Sequence, residues 1–191
     1  IALESENNNQ VFLGRMNQNS TEYTESIADR IDDQVRKIID YCDTPQERNI
    51  ILKTFRGNVV RIACHGTGAR VIETLLHVLP KEFSIPIRTE FYGKEFSLFS
   101  IKDEDAPKDL KNILLQRSDK KDQVLNHTFK VIQKFIDKGL LTFAFSQALI
   151  WEYFQNCGAS RYSELIPLLT DNIVALLSTQ SGAKVVTYLA G

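Results

Sequence analysis

The stretch Gly57–Leu76, GNVVRIACHGTGARVIETLL, decides how the rest of the chain is read, because a copy of it returns near the C-terminus. Shifted by 114 positions it meets Asp171–Ala190, DNIVALLSTQSGAKVVTYLA. Asn58 then falls on Asn172, Val60 on Val174, Gly68 on Gly182, Ala69 on Ala183, Val71 on Val185 and Leu75 on Leu189. Arg70 stands opposite Lys184 and Ile72 opposite Val186. The spacing is about three units of 38, so the sequence predicts a unit of about 36 to 40 residues used several times. Units of that period bury their apolar faces only by stacking on one another, as helical solenoids do.

Outward from this stretch the pattern is helical. Gln46–Phe55 predicts a helix with Thr44 as its cap and Pro45 at its first position, a place where the missing N–H costs nothing. Gly57 turns the chain into a Val59, Val60, Ile62 helix. Gly66 and Gly68 are expected to break it before a helix over Ala69–Leu79, which Pro80 ends. A second unit starts at Lys81, has Gly93 at the expected turn 36 residues after Gly57, and closes with a helix over Lys108–Gln116. A third runs from Val124 to Asn156 with Gly139 between its helices, and a fourth opens at Arg161. Ser146 precedes Gly182 by 36 residues, in phase, and the few extra residues between Gly68 and Ser146 are assigned to loops at 102–107 and 117–122.

The beginning of the chain differs. Residues 1–20 are rich in Asn, Gln and Ser and read as loop. From Thr24, a plausible cap, the stripe Ile27, Ile31, Val35, Ile38, Ile39 predicts one amphipathic helix that ends near Cys42. Residues 1–43 hold 4 Lys/Arg against 9 Asp/Glu, whereas residues 44–191 hold 19 against 15. The division expected is therefore a loop-plus-helix segment, 1–43, that keeps apart from the core of a mildly basic domain, 44–191, of about four repeats. A basic surface admits a polyanionic partner without requiring one.

Composition bounds the rest. At 191 residues and 43% hydrophobic content the chain can bury a sizeable core. No apolar run approaches the ~20 residues of a membrane span, and no charged, then apolar, leader opens the sequence. Cys42, Cys64 and Cys157 are odd in number and far apart, which predicts buried thiols in a reducing compartment rather than disulfides. The sequence starts and stops in mid-pattern and reads as a fragment.

At 100° per residue, Val71, Ile72, Leu75 and Leu76 share one helix face, and Ala69, Arg70 and Glu73 cluster opposite it. The copy sets Val185, Val186, Leu189 and Ala190 against Ala183, Lys184 and Thr187. Equivalent polar faces line up along a solenoid, and such a row can follow a single nucleic-acid strand.

The GTGARVIETLL and SGAKVVTYLAG signatures, the 36-residue phase and the YGKEFSLF run at Tyr92–Phe99 resemble the Puf-repeat family, in its nucleolar Puf-A branch. The resemblance covers about residues 45–191. It implies an all-α, right-handed solenoid of three-helix repeats that binds RNA or single-stranded nucleic acid with little sequence preference. It further implies action on large-subunit pre-rRNA in the nucleolus, beside pre-ribosomal proteins. By position, the nucleic-acid-facing residues it implies are Ala69, Arg70 and Glu73, then Gln147, Ala148 and Trp151, then Ala183, Lys184 and Thr187. Ala69 and Ala183 cannot hydrogen-bond a base edge and Thr187 is short, so backbone contact is expected over a sequence code.

A second resemblance lies in residues 1–42. FLGR at Phe12–Arg15 and EYTESIADRIDDQVRKIID at Glu22–Asp40 are similar to the end of the peptidase domain of FtsH-type proteases. The departures are residues missing before Met16 and a pattern that stops after Tyr41. His65, His77 and His127 lack the spacing of the zinc-binding helix of that family, so no protease chemistry is expected here.

Blander readings stand beside these. Arg70 and Lys184 suit ordinary solvated charges, Trp151 suits core packing, and His65 suits a turn. GTGARV lacks the third glycine and the preceding strand of a dinucleotide site, and no nucleophile elbow or paired-carboxylate site is apparent. The sequence predicts no enzyme, cofactor or metal site. Two further functions remain open: a scaffold that holds another protein, and a plastid (thylakoid) protease fragment or chimeric chain, the two family patterns meeting around Tyr41–Pro45.

Overall fold

Apolar spacing becomes helix throughout the residues described by the computed structural model, 29–98 and 108–190, with no strand among them. Thr24, Ile27, the Phe12–Arg15 motif, Phe99 and the 102–107 loop lie outside these residues. The first described helix, α1, covers residues 29–40. Then come α2 (Pro45–Phe55), α3 (Val59–Ala63), α4 (Gly66–Val78) and α5 (Lys81–Thr89). Short 3₁₀ turns at Glu90–Tyr92 and Lys94–Leu98 follow. Beyond them lie α6 (Leu110–Gln116), a 3₁₀ turn at Ser118–Lys120, α7 (Lys121–Asp137), α8 (Ala144–Cys157) and α9 (Ala159–Tyr162). The chain closes with α10 (Ile166–Thr170), α11 (Ile173–Leu176) and α12 (Gln180–Ala190).

Local chemistry sets most of these boundaries. At α2 the cap is a reciprocal box: the Glu47 N–H donates to Thr44 Oγ1 at 3.3 Å and the Thr44 N–H to Glu47 Oε2 at 3.0 Å. These bonds hold the Glu47 carboxyl below its usual range. Asp109 caps α6 by accepting from the Asn112 N–H at 2.8 Å. Gly57 and Gly139, the expected turns, end their helices at φ of +75° and +67°, a region that other residues enter only with strain. The 117–122 loop is shorter than expected, since α7 already begins at Lys121.

Gly66 and Gly68 do not break a helix. α4 starts at Gly66 and carries Gly68 inside it. A Cβ at Gly68 would lie 2.2 Å from the Ile62 carbonyl oxygen, and one at Gly182 would lie 1.7 Å from that of Leu176. The repeated glycine therefore marks a backbone-on-backbone crossing, α3 over α4 in the first unit and α11 over α12 in the last. Ser146, at the same phase in α8, is also fully enclosed.

One apolar cluster runs from Val35 to Val185. Its aromatic centre joins the second and third units: Phe91 stacks on Phe145 at 5.7 Å, and Phe135 meets Phe91 at 5.7 Å and Phe145 at 5.4 Å, edge-on. Val35 and Ile39 of α1 belong to the same cluster, with Ile31 packed against it. This corrects the expectation that the leading segment keeps apart from the repeat core: Val35 and Ile39 of its apolar stripe are buried there, while Ile38 stays 51% exposed. Cys42 and Cys157 are buried, whereas Cys64 is only half-buried. Burial pushes the Cys64 thiol up, against the pull of Lys134 and Lys138.

Candidate nucleic-acid interface

The helices α4, α8 and α12 lie side by side, α8 in the middle, in contact with both neighbours. The row expected from the repeat therefore exists, and what matters is which of its side chains are free. On α4, Ala69 is fully enclosed. The expected seam was rotated. Ala69, Ile72 and Leu75 form the buried face, while Val71 and Leu76, which periodicity places in the core, are half-buried.

Glu73 is occupied by the fold. Its carboxylate accepts from the Ala144 N–H at 2.9 Å and the Phe145 N–H at 3.1 Å, the first turn of α8. A carboxylate there satisfies orphan donors and meets the positive end of the helix dipole. Arg70 is also held: its guanidinium pairs with Asp32 of α1 at 3.1 Å, and Thr74 of α4 donates to the same carboxylate.

On α8, Gln147 is enclosed and works as a fastener between units. Its amide donates to the carbonyl of Leu141 at 2.6 Å, the carbonyl of Ala175 at 3.1 Å and the hydroxyl of Ser178 at 3.1 Å. Its oxygen accepts from the Gly182 N–H at 3.0 Å and from the Thr179 hydroxyl. A buried amide with every donor and acceptor matched has nothing left for a base edge. Ala69 and Gln147, both expected on the ligand-facing side, are thus placed inside the protein.

The remaining positions form a coherent surface on α8 and α12. Trp151 is half-buried and meets Tyr188 edge-on, ring centroids 5.9 Å apart. Tyr188 is 42% exposed, so this pair presents aromatic surface outward. One helical turn before Tyr188, Lys184 is exposed and forms no ion pair among the described residues. Thr187 is exposed beside it, its hydroxyl donating back to the Ala183 carbonyl at 2.9 Å. Ala148 and Ala183 are half-buried and give a low surface between the larger groups. Sequence reasoning missed Tyr188; the signal was available in its i+4 relation to Lys184.

Beside this surface, between α4, α5, α8 and α12, is a cleft of about 250 Å³ with Phe91, Phe145 and Leu149 among its walls and Glu73, Arg88 and Glu152 around it. Its charges satisfy one another. Arg88 pairs with Glu152 at 2.5 Å, and the same carboxylate accepts from the Tyr92 hydroxyl and from the Leu110 N–H at 3.3 Å. Burial and the Glu152 charge together push the Tyr92 hydroxyl far up. Burial works against the Arg88 charge, but Glu152 and Tyr92 together outweigh it and the guanidinium is raised further. Among the described residues no group of three or more His, Cys, Asp and Glu side chains could hold a metal ion. None of their helices is long and apolar enough to cross a membrane.

Fold and site together describe an all-α, Pumilio-like solenoid, a helical repeat protein in which α4, α8 and α12 stand side by side. The comparisons with known proteins agree. The chain is 32% identical over 147 residues to Pumilio domain-containing protein 12 of Caenorhabditis elegans, which is 76% of this chain and 19% of that protein. It is 22% identical over 151 residues to Pumilio homolog 24 of Arabidopsis thaliana, 78% of this chain and 23% of that one. A separate match, 62% identical over 42 residues, joins it to the ATP-dependent zinc metalloprotease FtsH of Trieres chinensis, covering 22% of this chain and 6% of the protease. The chain therefore spans less than a quarter of each of these relatives. No family model matches it.

Proposed function

We propose that the chain binds single-stranded RNA with low sequence preference along the outer faces of α8 and α12. The observation that carries this reading is the Trp151–Tyr188 pair standing beside the exposed Lys184, flanked by small residues where a base-reading site would need amides or carboxylates. Aromatic faces stack on any base, and a lysine meets any phosphate, so such a surface holds a strand without reading it. Its similarity to Pumilio-domain proteins supports the same class. Within that class we place the protein in ribosome assembly, acting on large-subunit pre-rRNA in the nucleolus. The experiment is fluorescence anisotropy on unrelated single-stranded RNAs across a salt series. Lys184→Glu lowers affinity for all of them alike and flattens the salt slope by about 0.7 or more, the share of one phosphate contact on a single strand. Trp151→Ala lowers affinity and leaves the slope unchanged. Tight binding to one sequence alone overturns the reading.

A protein-scaffold role draws on a different observation. Leu168, Ile173, Val174 and Leu177 are exposed together on α10, α11 and the turn after α11, with Val174 at 82%. Capture of a partner with little salt dependence, unaffected by Lys184→Glu, decides for that role.

A further inference from the structure

The leading helix sits where a strand continuing across the row would meet α4. Asp32 of α1 lies against the one cation that α4 offers at the nucleic-acid-facing position, its Oδ2 3.1 Å from Arg70 Nη2. Its other oxygen accepts from the Thr74 hydroxyl. Thr74 is buried, and the same hydroxyl lies 3.0 Å from the Arg70 carbonyl, so its single proton has a second acceptor within α4. Asp32 can thus leave without stranding a buried donor. The helix that carries Asp32 is anchored independently, through Val35 and Ile39 in the core. Both partners keep contact with water, the Arg70 side chain at 36% and that of Asp32 at 28% exposure, so an incoming anion can reach the pair.

We propose that α1 is an autoinhibitory strap in which the Asp32 carboxylate occupies Arg70 in place of an RNA phosphate. The strap confines binding to α8 and α12 until a phosphate displaces Asp32, and then Arg70 extends the contact by one unit. The proposal rests on the RNA-binding reading above. A phosphate and a carboxylate are equivalent partners for a guanidinium, so the exchange is a competition between two anions for one fork of donors. Asp33, one residue on, points its charge elsewhere and pairs with Lys37 of its own helix at 2.6 Å.

The test measures anisotropy of a labelled 12-nucleotide oligouridylate with the full chain and its variants between 50 and 300 mM salt. Asp32→Asn raises affinity about two- to fivefold at the low-salt end, the range of a partly exposed ion pair, and steepens the salt slope by about 0.7. Arg70→Gln in the Asp32→Asn background removes that gain, and Asp33→Asn gives less than half of it. Circular dichroism and the melting temperature check that each variant keeps its helices. An unchanged Asp32→Asn, with wild-type binding still sensitive to Lys184→Glu, overturns the strap and leaves the RNA reading standing. Equal gains from Asp32→Asn and Asp33→Asn also overturn it, because the effect is then a general loss of negative charge. Binding seen only in Asp32→Asn overturns the confinement to α8 and α12, because the wild-type chain then has no site outside the strap. No binding by any variant overturns both readings.

Discussion

Replacing Gly68 by alanine adds one methyl group, and two effects of opposite sign meet there. In a helix interior, alanine is favoured over glycine by about 1 kcal/mol, because glycine loses more backbone freedom on folding. Against this, the new Cβ would lie 2.2 Å from the Ile62 carbonyl oxygen and 3.0 Å from its carbon. An ordinary contact needs roughly 1 Å more, and the obstacle is backbone, which no rotamer change moves aside. Either α3 separates from α4 or both bend, and overpacking of this kind costs about 1–3 kcal/mol. The clash outweighs the gain, and Gly68→Ala destabilises the fold by up to about 2 kcal/mol, a drop in melting temperature of up to about 8 °C at this chain length. Gly182→Ala behaves in the same direction, its Cβ meeting the Leu176 oxygen at 1.7 Å. Gly66→Ala is the control, since a Cβ there meets nothing within 4 Å and the change is neutral or stabilising. Thermal and urea unfolding followed by circular dichroism read all three. A Gly68→Ala variant as stable as Gly66→Ala refutes the close crossing as the reason for the repeated glycine.

Glu90 is buried, and it accepts from the Gly57 N–H at 2.8 Å and the Val59 N–H at 2.7 Å. Glu90→Ala strands both donors and lowers unfolding free energy by about 2–4 kcal/mol in urea titration, with Glu90→Gln in between. Gln147→Ala unfastens α8 from α11 and α12 and costs about 2–3 kcal/mol, without altering the salt slope of RNA binding if that slope comes from exposed cations. His127 is held below its ordinary pKa by burial, and its Nε2 has no hydrogen-bond partner among the described residues. Its neutral form is the one the fold accepts, so stability is full above the unfolded value of about 6.5 and declines as pH falls through it toward the folded value. The melting temperature should drop between pH 7 and 5, and His127→Leu should drop less over the same range.

The repeat and its helices were legible because they depend on spacing. Apolar residues three and four apart, Thr44 before Pro45, and turns at Gly57 and Gly139 all act within a few residues of themselves. The site was less legible because its outcome depends on neighbours distant in sequence. Glu73 looks like a solvent-facing acid until α8, about seventy residues on, brings its N-terminus to it. Gln147 looks like a base reader until α11 and α12 enclose it. The seam on α4 was misplaced for the same reason: periodicity assumes one buried face, whereas α4 is covered from two sides, by the core along Ala69, Ile72 and Leu75 and by α1 over Thr74. Gly68 was read for its backbone freedom, yet its value lies in lacking a side chain.

The carboxylates that complete helix starts in other units also bear on the order in which the chain can mature. Glu73 is synthesised long before the α8 amides it will receive, so the acceptor is already waiting when α8 leaves the ribosome. Glu90 has the reverse relation to α3, whose Gly57 and Val59 amides appear 33 and 31 residues earlier. The α3 turn therefore emerges unfinished and becomes a stable template only when the next unit delivers its glutamate. The first unit is made durable in this way by the unit that follows it, and a ribosome paused between Val59 and Glu90 would hold a nascent chain whose first crossing remains open to chaperones and proteases.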